Sequence, residues 1–431
     1  MYLMINMKRI ILITILIVFF ILLSSYADSI KINTNSENIN QKKWTFILYF
    51  DADHSGYSNI ESQMKRSLNF LNHTLYSYDY NPDISVLVQY DTYYEFEGIN
   101  RYEQTESGLE LVESLEELSM GDKDTLVNFI DWAVQRSNSE RYCLVLADHG
   151  VGWRNGFLRD EDDYLSMQEL KDSLNEIKTN ILGGNKIDLL VMDACQMSMM
   201  EVYYQIKGTT KICLSPPEAY SGMYPYHMIF SDLNLDLEEN NECDEIGLVN
   251  HFYDNFMSFH NSYHGYLSAY NVDKICNQVK ESIDRFAKEL INNFEDYKDE
   301  IKDAIVNTKI YNGPNEYILH YRDLYNFTEK ILESEIYEAI KEKALELREE
   351  LNDSKIIPSK KYGLSIYLPI KDRDYPYESS YSDLEFSKDT TWDDFVLKTK
   401  NLRSVKNKSV TFYQFNFLTK LISKFIKFDL N

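Results

Sequence analysis

Cysteine is scarce in this chain. Five residues in 431 (Cys143, Cys195, Cys213, Cys243 and Cys276) are too few to staple a fold of this size, which excludes a disulfide scaffold. Positive charge is short as well: 44 Lys and Arg stand against 69 Asp and Glu, a formal net charge of −25. A nucleic-acid binder needs a basic surface to displace counterions, so no nucleic-acid partner is expected. No G-x-S-x-G elbow is present, which argues against a serine-type hydrolase. No internal repeat is visible. Glycine and proline are few, 15 and 8 beside 34 tyrosines; this bias is read as genomic and carries no functional weight. What remains is a globular composition, 44% apolar and 26% charged. Its length suits two to three domains, or one large domain with elaborations.

The first residues set the compartment. Lys8 and Arg9 precede an apolar run, Ile10 to Leu23, interrupted by Thr14; Ser25 and Ala27 then supply small residues at signal-peptidase positions. This reads as a signal peptide over 1–27, cut after Ala27. The run is short for a membrane span, and an uncleaved anchor is the alternative. No Cys follows it to carry a lipid. Residues 28–42 are polar and unpatterned, a linker. An odd cysteine count in an exported protein leaves at least one thiol unpaired. Cys143 and Cys213 lie in apolar runs as buried hydrophobes, and a bridge between Cys243 and Cys276 stays open.

Apolar runs alternate with helical patterns. Strands are expected over 44–50, 84–90, 142–147, 187–192 and 211–214, with helices over 59–75, 126–134, 167–177 and 199–206. Continuous apolar strands between amphipathic helices mark a mostly parallel central sheet covered on both faces. Function should collect beyond the strands' C-terminal ends. The second half reads as largely helical (248–259, 276–294, 323–332, 336–351), with strands at 267–272 and 362–368 that could return to the sheet. At the end, Phe417, Leu418, Leu421, Ile422 and Phe425 share one helical face, with Lys420, Lys424 and Lys427 opposite. A closing helix is the preferred reading of this basic amphipathic tail, 401–431, over a membrane-surface role.

Two strand ends carry chemistry. The third runs into Asp148-His149-Gly150-Val151-Gly152-Trp153, the fourth into Asp193-Ala194-Cys195-Gln196 and a helix. A Cys before a helix would face unpaired N–H groups and the positive end of the dipole, which favour thiolate. A His on the neighbouring strand end can move protons. Gly150 leaves room for a substrate backbone and frees an N–H for an oxyanion. Taken alone, Cys195 reads as core and His149 as a loop histidine; together they balance evenly between those readings and catalysis.

These segments resemble the clostripain family of cysteine peptidases, within the clan of caspases, legumain, gingipains and separase. The resemblance rests on Tyr49-Phe50-Asp51-Ala52-Asp53, His149 to Trp153, Asp193 to Met197, Glu218 through Pro225-Tyr226, Tyr362 to Tyr367, and Leu384 to Ser387 with Trp392 and Phe395. It spans most of 43–398. It implies a caspase-like α/β sandwich, with a catalytic core at 43–235 and a helical part at 236–400. It implies an exported endopeptidase acting on peptides or proteins, with Cys195 as nucleophile and His149 as general acid/base. The N–H groups of Gly150 and Cys195 would form the oxyanion hole. Asp193 matches a position lining the pocket for a basic side chain, with Met223 and Tyr224 beside it; a helix-capping Asp is the competing reading.

The chain departs from the family at Met223, where a second acid is usual, and at His54, where Asn is common. His54 reads as a rim residue rather than a second base. Arg159, before the acidic run 160–163, is a candidate self-processing site. No cofactor is required by these residues. Calcium, which some members need, could use run 160–163, although that run lacks EF-hand spacing and a solvated loop is preferred. The competing function is a non-catalytic surface or binding protein that kept a caspase-like fold.

Overall fold

The structure, a computed structural model, describes residues 41–54, 58–77, 80–154, 156–160, 163–219, 223–259, 267–311, 320–357, 362–369 and 378–399. The leader at 1–27, most of the linker, the tail at 401–431, Glu161-Asp162 of the acidic run and Ser221-Gly222 lie outside the described residues. The chain divides into two units, Met1–Gln41 and Lys42–Asn431, and the second holds the sheet and its helices.

An eight-stranded sheet has the order β10-β9-β8-β5-β1-β2-β3-β4. Its middle is parallel: β9 (Thr210–Ser215), β8 (Ile187–Asp193), β5 (Ser139–Ala147), β1 (Lys42–Ala52) and β2 (Ile84–Thr92). Successive side chains of a strand point to opposite faces. Accordingly Ile47, Tyr49, Leu144, Leu146, Leu190 and Met192 enter one core, while Phe46, Leu48, Val145, Leu189 and Val191 enter the other. The unbroken apolar runs are therefore two alternating sets, each fully used.

Helices α1 (Ser58–Ser77), α5 (Tyr226–Asn240) and α6 (Glu245–Phe259) cover the second face. The first is covered by α2 (Lys123–Arg136), α3 (Met167–Glu176), α7 (Lys280–Asn292), α8 (Lys298–Asn307), α9 (Leu324–Glu333), α10 (Glu338–Ser354) and the helix Trp392–Thr399. A helix Val272–Lys274 and a π turn, Ile275–Val279, lead into α7. Helix starts obey local chemistry. Asp122 caps α2 by accepting from the Asp124 N–H, and Ser166 and Glu169 form a reciprocal capping box on α3.

The edges depart from the sequence reading in part: the strand expected at 267–272 does return to the sheet, but the outer hairpin was not foreseen. A polar hairpin, β3 (Asn100–Thr105) and β4 (Gly108–Ser114), extends one side, and β10 (Ser268–Asn271) closes the other antiparallel. The strand expected at 362–368 does not join this sheet. It is β12 (Ser365–Tyr367), paired with β11 (Tyr321–Asp323) in a separate ribbon. That ribbon braces the segment after β8: the Ser365 N–H donates to Ser198 O at 3.0 Å, and Ser198 Oγ donates to Gly363 O at 2.6 Å. None of the five cysteines forms a disulfide, and Cys243 and Cys276 sit in opposite cores, so no bridge joins them.

Candidate active site

Strand order places the chemistry. The chain lays β2 on one side of β1 and then β5 on the other, so the topological switch lies between β1 and β5. Parallel neighbours β5 and β8 end together, with Ala147 opposite Asp193, and the Asp148 N–H reaches Asp193 O at 3.4 Å. His149 and Cys195 each follow two residues beyond that matched pair. Both are half-buried.

Gly150 makes this juxtaposition. A Cβ there would lie 2.5 Å from Cys195 O, 3.0 Å from Ala194 Cβ and 3.2 Å from Cys195 N. The two backbones touch, and a side chain would force them apart. The sequence reading had assigned this glycine to substrate clearance and to an oxyanion N–H, not to the contact between the two strand ends. Its neighbour Gly152, at φ 72°, lies under the Tyr321 ring, whose hydroxyl donates to Val151 O at 2.8 Å. The β11–β12 ribbon thus holds the histidine loop as well as the cysteine loop.

Cys195 does not cap a helix. It sits in a turn completed by Gln196 at φ 63°, and α4 (Met200–Gln205) starts five residues later. A non-glycine residue in the left-handed region costs about 1 kcal/mol or more, so this turn is strained. The expected dipole stabilisation of a thiolate is therefore absent. Burial pushes the Cys195 thiol up to about 12, and the Asp193 and Asp148 carboxylates add to the shift. Burial pushes the His149 imidazole below its ordinary value, against the pull of Asp148, with His54 and Arg159 also lowering it. Both shifts favour the neutral forms, thiol and imidazole.

Two residues that the sequence reading left at the margin buttress His149. His54, at the end of β1, directs Nε2 to Asp148 Oδ1 at 3.0 Å, both side chains buried. Its ring meets the His149 ring edge-on, with centroids 5.1 Å apart. The second Asp148 oxygen accepts the Arg159 N–H. A carboxylate next to a histidine in sequence was visible beforehand; its pairing with a histidine 94 positions away was not.

Asp193 is buried under the strand end. Its Oδ2 accepts the Tyr226 hydroxyl at 2.5 Å and the Tyr224 N–H at 3.2 Å, and its Oδ1 has no hydrogen-bond partner. It therefore does not cap α4, which removes the competing reading. Burial raises its carboxyl to about 7, and both hydrogen bonds pull the other way. Tyr224 offers the site its backbone N–H, while its ring packs into the core against Phe252 and Phe256 at 5.8 and 5.4 Å. Met223 is also buried, in the same core.

Among the described residues, three groups place metal-ligating atoms within 4.8 Å of one another: His54, Asp148 and His149; Asp236, Cys243 and His251; and Asp53, Asp91 and Glu117. The acidic run divides differently: an Asp160 oxygen accepts the Met120 N–H and an Asp163 oxygen the Ser119 hydroxyl.

A thiol and an imidazole at adjacent ends of a parallel α/β sheet are the arrangement that a cysteine hydrolase of caspase-like architecture requires. Comparison narrows the class. The profile of the clostripain family matches residues 49–399, and the chain belongs to this family of cysteine peptidases. Clostripain of Hathewaya histolytica is 27% identical over 312 residues, 60% of this chain and 59% of that protein, so the chain matches under two thirds of its length. An inactive zymogen C11 protease from Parabacteroides distasonis shares the fold, with TM-score 0.60 and 20% identity. So does a secreted C11 cysteine protease from Bacteroides thetaiotaomicron held with an irreversible peptide inhibitor, with TM-score 0.59 and 16% identity. Each superposition covers 81% of this chain and 99% of the other.

Proposed function

We propose that this chain is an exported cysteine endopeptidase that cleaves after Arg or Lys. The observation that carries the reading is the matched ending of β5 and β8, with the Gly150 backbone against that of Cys195. Because burial favours the neutral thiol and imidazole, proton transfer belongs to the substrate-bound step. His149 takes the Cys195 proton as sulfur attacks the scissile carbonyl carbon. The N–H groups of Gly150 and Cys195 receive the oxygen as it becomes negative. The C–N bond breaks, and His149 returns its proton to the leaving amine. Water, deprotonated by His149, then cleaves the thioester and restores the thiol.

Asp193 supports the basic preference. Its unpartnered Oδ1 is the oxygen left for a substrate cation, and an arriving guanidinium or ammonium would favour the ionised form that burial now opposes. With Met223 in place of a second acid, selectivity rests on one carboxylate. Export is supported by the leader pattern at 1–27. Self-processing at Arg159 is supported by its exposed side chain on β6 (Phe157–Asp160), a strand anchored to Asp148 beside His149.

The test is cleavage of fluorogenic peptides bearing Arg, Lys, Gln or Leu before the reporter, by the intact chain and by C195A and H149A. Turnover confined to the basic peptides and lost in both variants supports the proposal. Equal turnover of all four overturns the specificity. A folded chain that cleaves none, with an unreactive Cys195, identifies a binding protein instead.

A further inference from the structure

A second set of reactive side chains lies at the other end of the sheet, where α5 turns into α6. Asp236 comes from the last turns of α5, Cys243 from the connection, and His251 from the second turn of α6. One donor atom from each lies within 4.8 Å of the other two. The Cys243 backbone is fixed against the start of β1, where the Trp44 indole N–H donates to its carbonyl at 2.9 Å. The next residue opens α6: Asp244 Oδ1 accepts the Gly247 N–H at 2.8 Å, and its carbonyl accepts the Leu248 N–H at 3.0 Å.

The sulfur and the imidazole are both placed by their neighbours. A Cβ at Gly247 would lie 3.0 Å from Cys243 Sγ. Gly247 is not in the left-handed region, so space for the sulfur, not backbone conformation, is what glycine supplies there. The thiol itself has only a weak contact, to Asp244 O at 3.7 Å. His251 directs Nε2 to Asp236 Oδ2 at 2.8 Å. Its Nδ1 faces Asp232 Oδ2 at 3.9 Å, and that oxygen is held by Asn255 Nδ2 at 2.6 Å. A carboxylate behind the far nitrogen of an imidazole is the usual outer support of a metal-binding histidine.

Donor type selects the ion. Calcium and magnesium take oxygen ligands, whereas a thiolate, an imidazole and a carboxylate together suit zinc. We infer that Asp236, Cys243 and His251 bind a zinc-class ion. Cys243 is buried, while the Asp236 and His251 side chains are partly open to solvent, so water can take the fourth position. Binding releases the thiol proton to solvent and uses the neutral imidazole. The ion is structural: it pins α5 to α6 near the start of β1, at the opposite end of that strand from His54 and the catalytic pair. The site does not depend on the peptidase reading.

The intact chain, kept reduced, should be titrated with ZnCl2 by calorimetry and with CoCl2 by absorbance, where a thiolate-to-cobalt band reports sulfur ligation. Saturable zinc binding is expected, with the melting temperature raised by about 2 °C or more. Calcium should not compete. C243S should abolish the cobalt band, and H251A should weaken zinc binding by about tenfold or more, while C195A retains both band and affinity. His251 is half-buried, so H251A keeps the test if C243S fails to fold. No saturable zinc binding in the wild type, a band that survives C243S or vanishes in C195A, or unchanged affinity in H251A would each overturn the site.

Discussion

Replacing Gly150 by alanine isolates the contact on which the active site is built. Gly150 does not occupy the left-handed region, so alanine meets no backbone penalty there. The cost is steric. The added methyl would sit 2.5 Å from Cys195 O and 3.0 Å from Ala194 Cβ, so the strand ends must separate by several tenths of an ångström. Overpacking of this kind costs about 1–3 kcal/mol of stability. The larger effect falls on catalysis. A displacement approaching 1 Å at a reacting group costs about 100-fold, and loss of one oxyanion donor about 100- to 1,000-fold. The variant should therefore fold, melt a few degrees lower, and show kcat reduced by about 100-fold or more with KM little changed. Single-turnover cleavage of an Arg peptide, with thermal unfolding alongside, measures both. Activity within threefold of wild type in the folded variant would refute the claim that these two backbones form the oxyanion site.

Three further substitutions probe other parts of the account. D193N should lower kcat/KM for Arg peptides by about 10- to 100-fold, the worth of a charge-assisted hydrogen bond of about 1.5–3 kcal/mol, while sparing neutral peptides. In the wild type that selectivity should rise with pH through about 7 as Asp193 ionises, and kcat/KM for Arg and Leu peptides between pH 5.5 and 8.5 reads it. Glu201 is fully buried, accepting from the Tyr367 N–H and the Tyr381 hydroxyl, and burial raises it to about 7. A raised carboxyl contributes stability at low pH that is lost as pH rises from its unfolded value, near 4.5, to about 7. E201Q should therefore gain relative to wild type at pH 8 and not at pH 4, as read by urea unfolding. Phe46 is fully buried, with its ring 4.4 Å from that of Phe230, and F46A should cost about 3–5 kcal/mol in the same assay.

How much was legible in the sequence followed from burial. The five parallel strands were readable because both of their faces are covered, which turns an alternating pattern into an unbroken apolar run. β3 and β4 escaped because an antiparallel edge pair can stay polar; Arg101, deep within it, bonds Gln89 and Asn128 at 2.8 Å each, an arrangement no local period encodes. β12 read correctly as a strand but was placed wrongly, since its partner β11 is three residues long and 42 positions away from Ser365 to Asp323. At the site, residue types at strand ends brought Cys195 and His149 only to an even balance with core and loop readings, and the family resemblance supplied their roles. The protonation state was not readable: the helix expected to hold a thiolate begins only at Met200, and Gln196 turns the chain first. His54 and Asp148 took meaning only when β1 and β5 were laid side by side.

The central claim is that Cys195 is activated by His149 across the β5–β8 boundary. Mass spectrometry of the chain after reaction with an irreversible inhibitor carrying a peptide with a terminal Arg tests it most directly. The account predicts one adduct, on Cys195, formed at least about 100-fold more slowly in H149A. An adduct on any of the other four cysteines, or labelling of Cys195 at an unchanged rate in H149A, would contradict it.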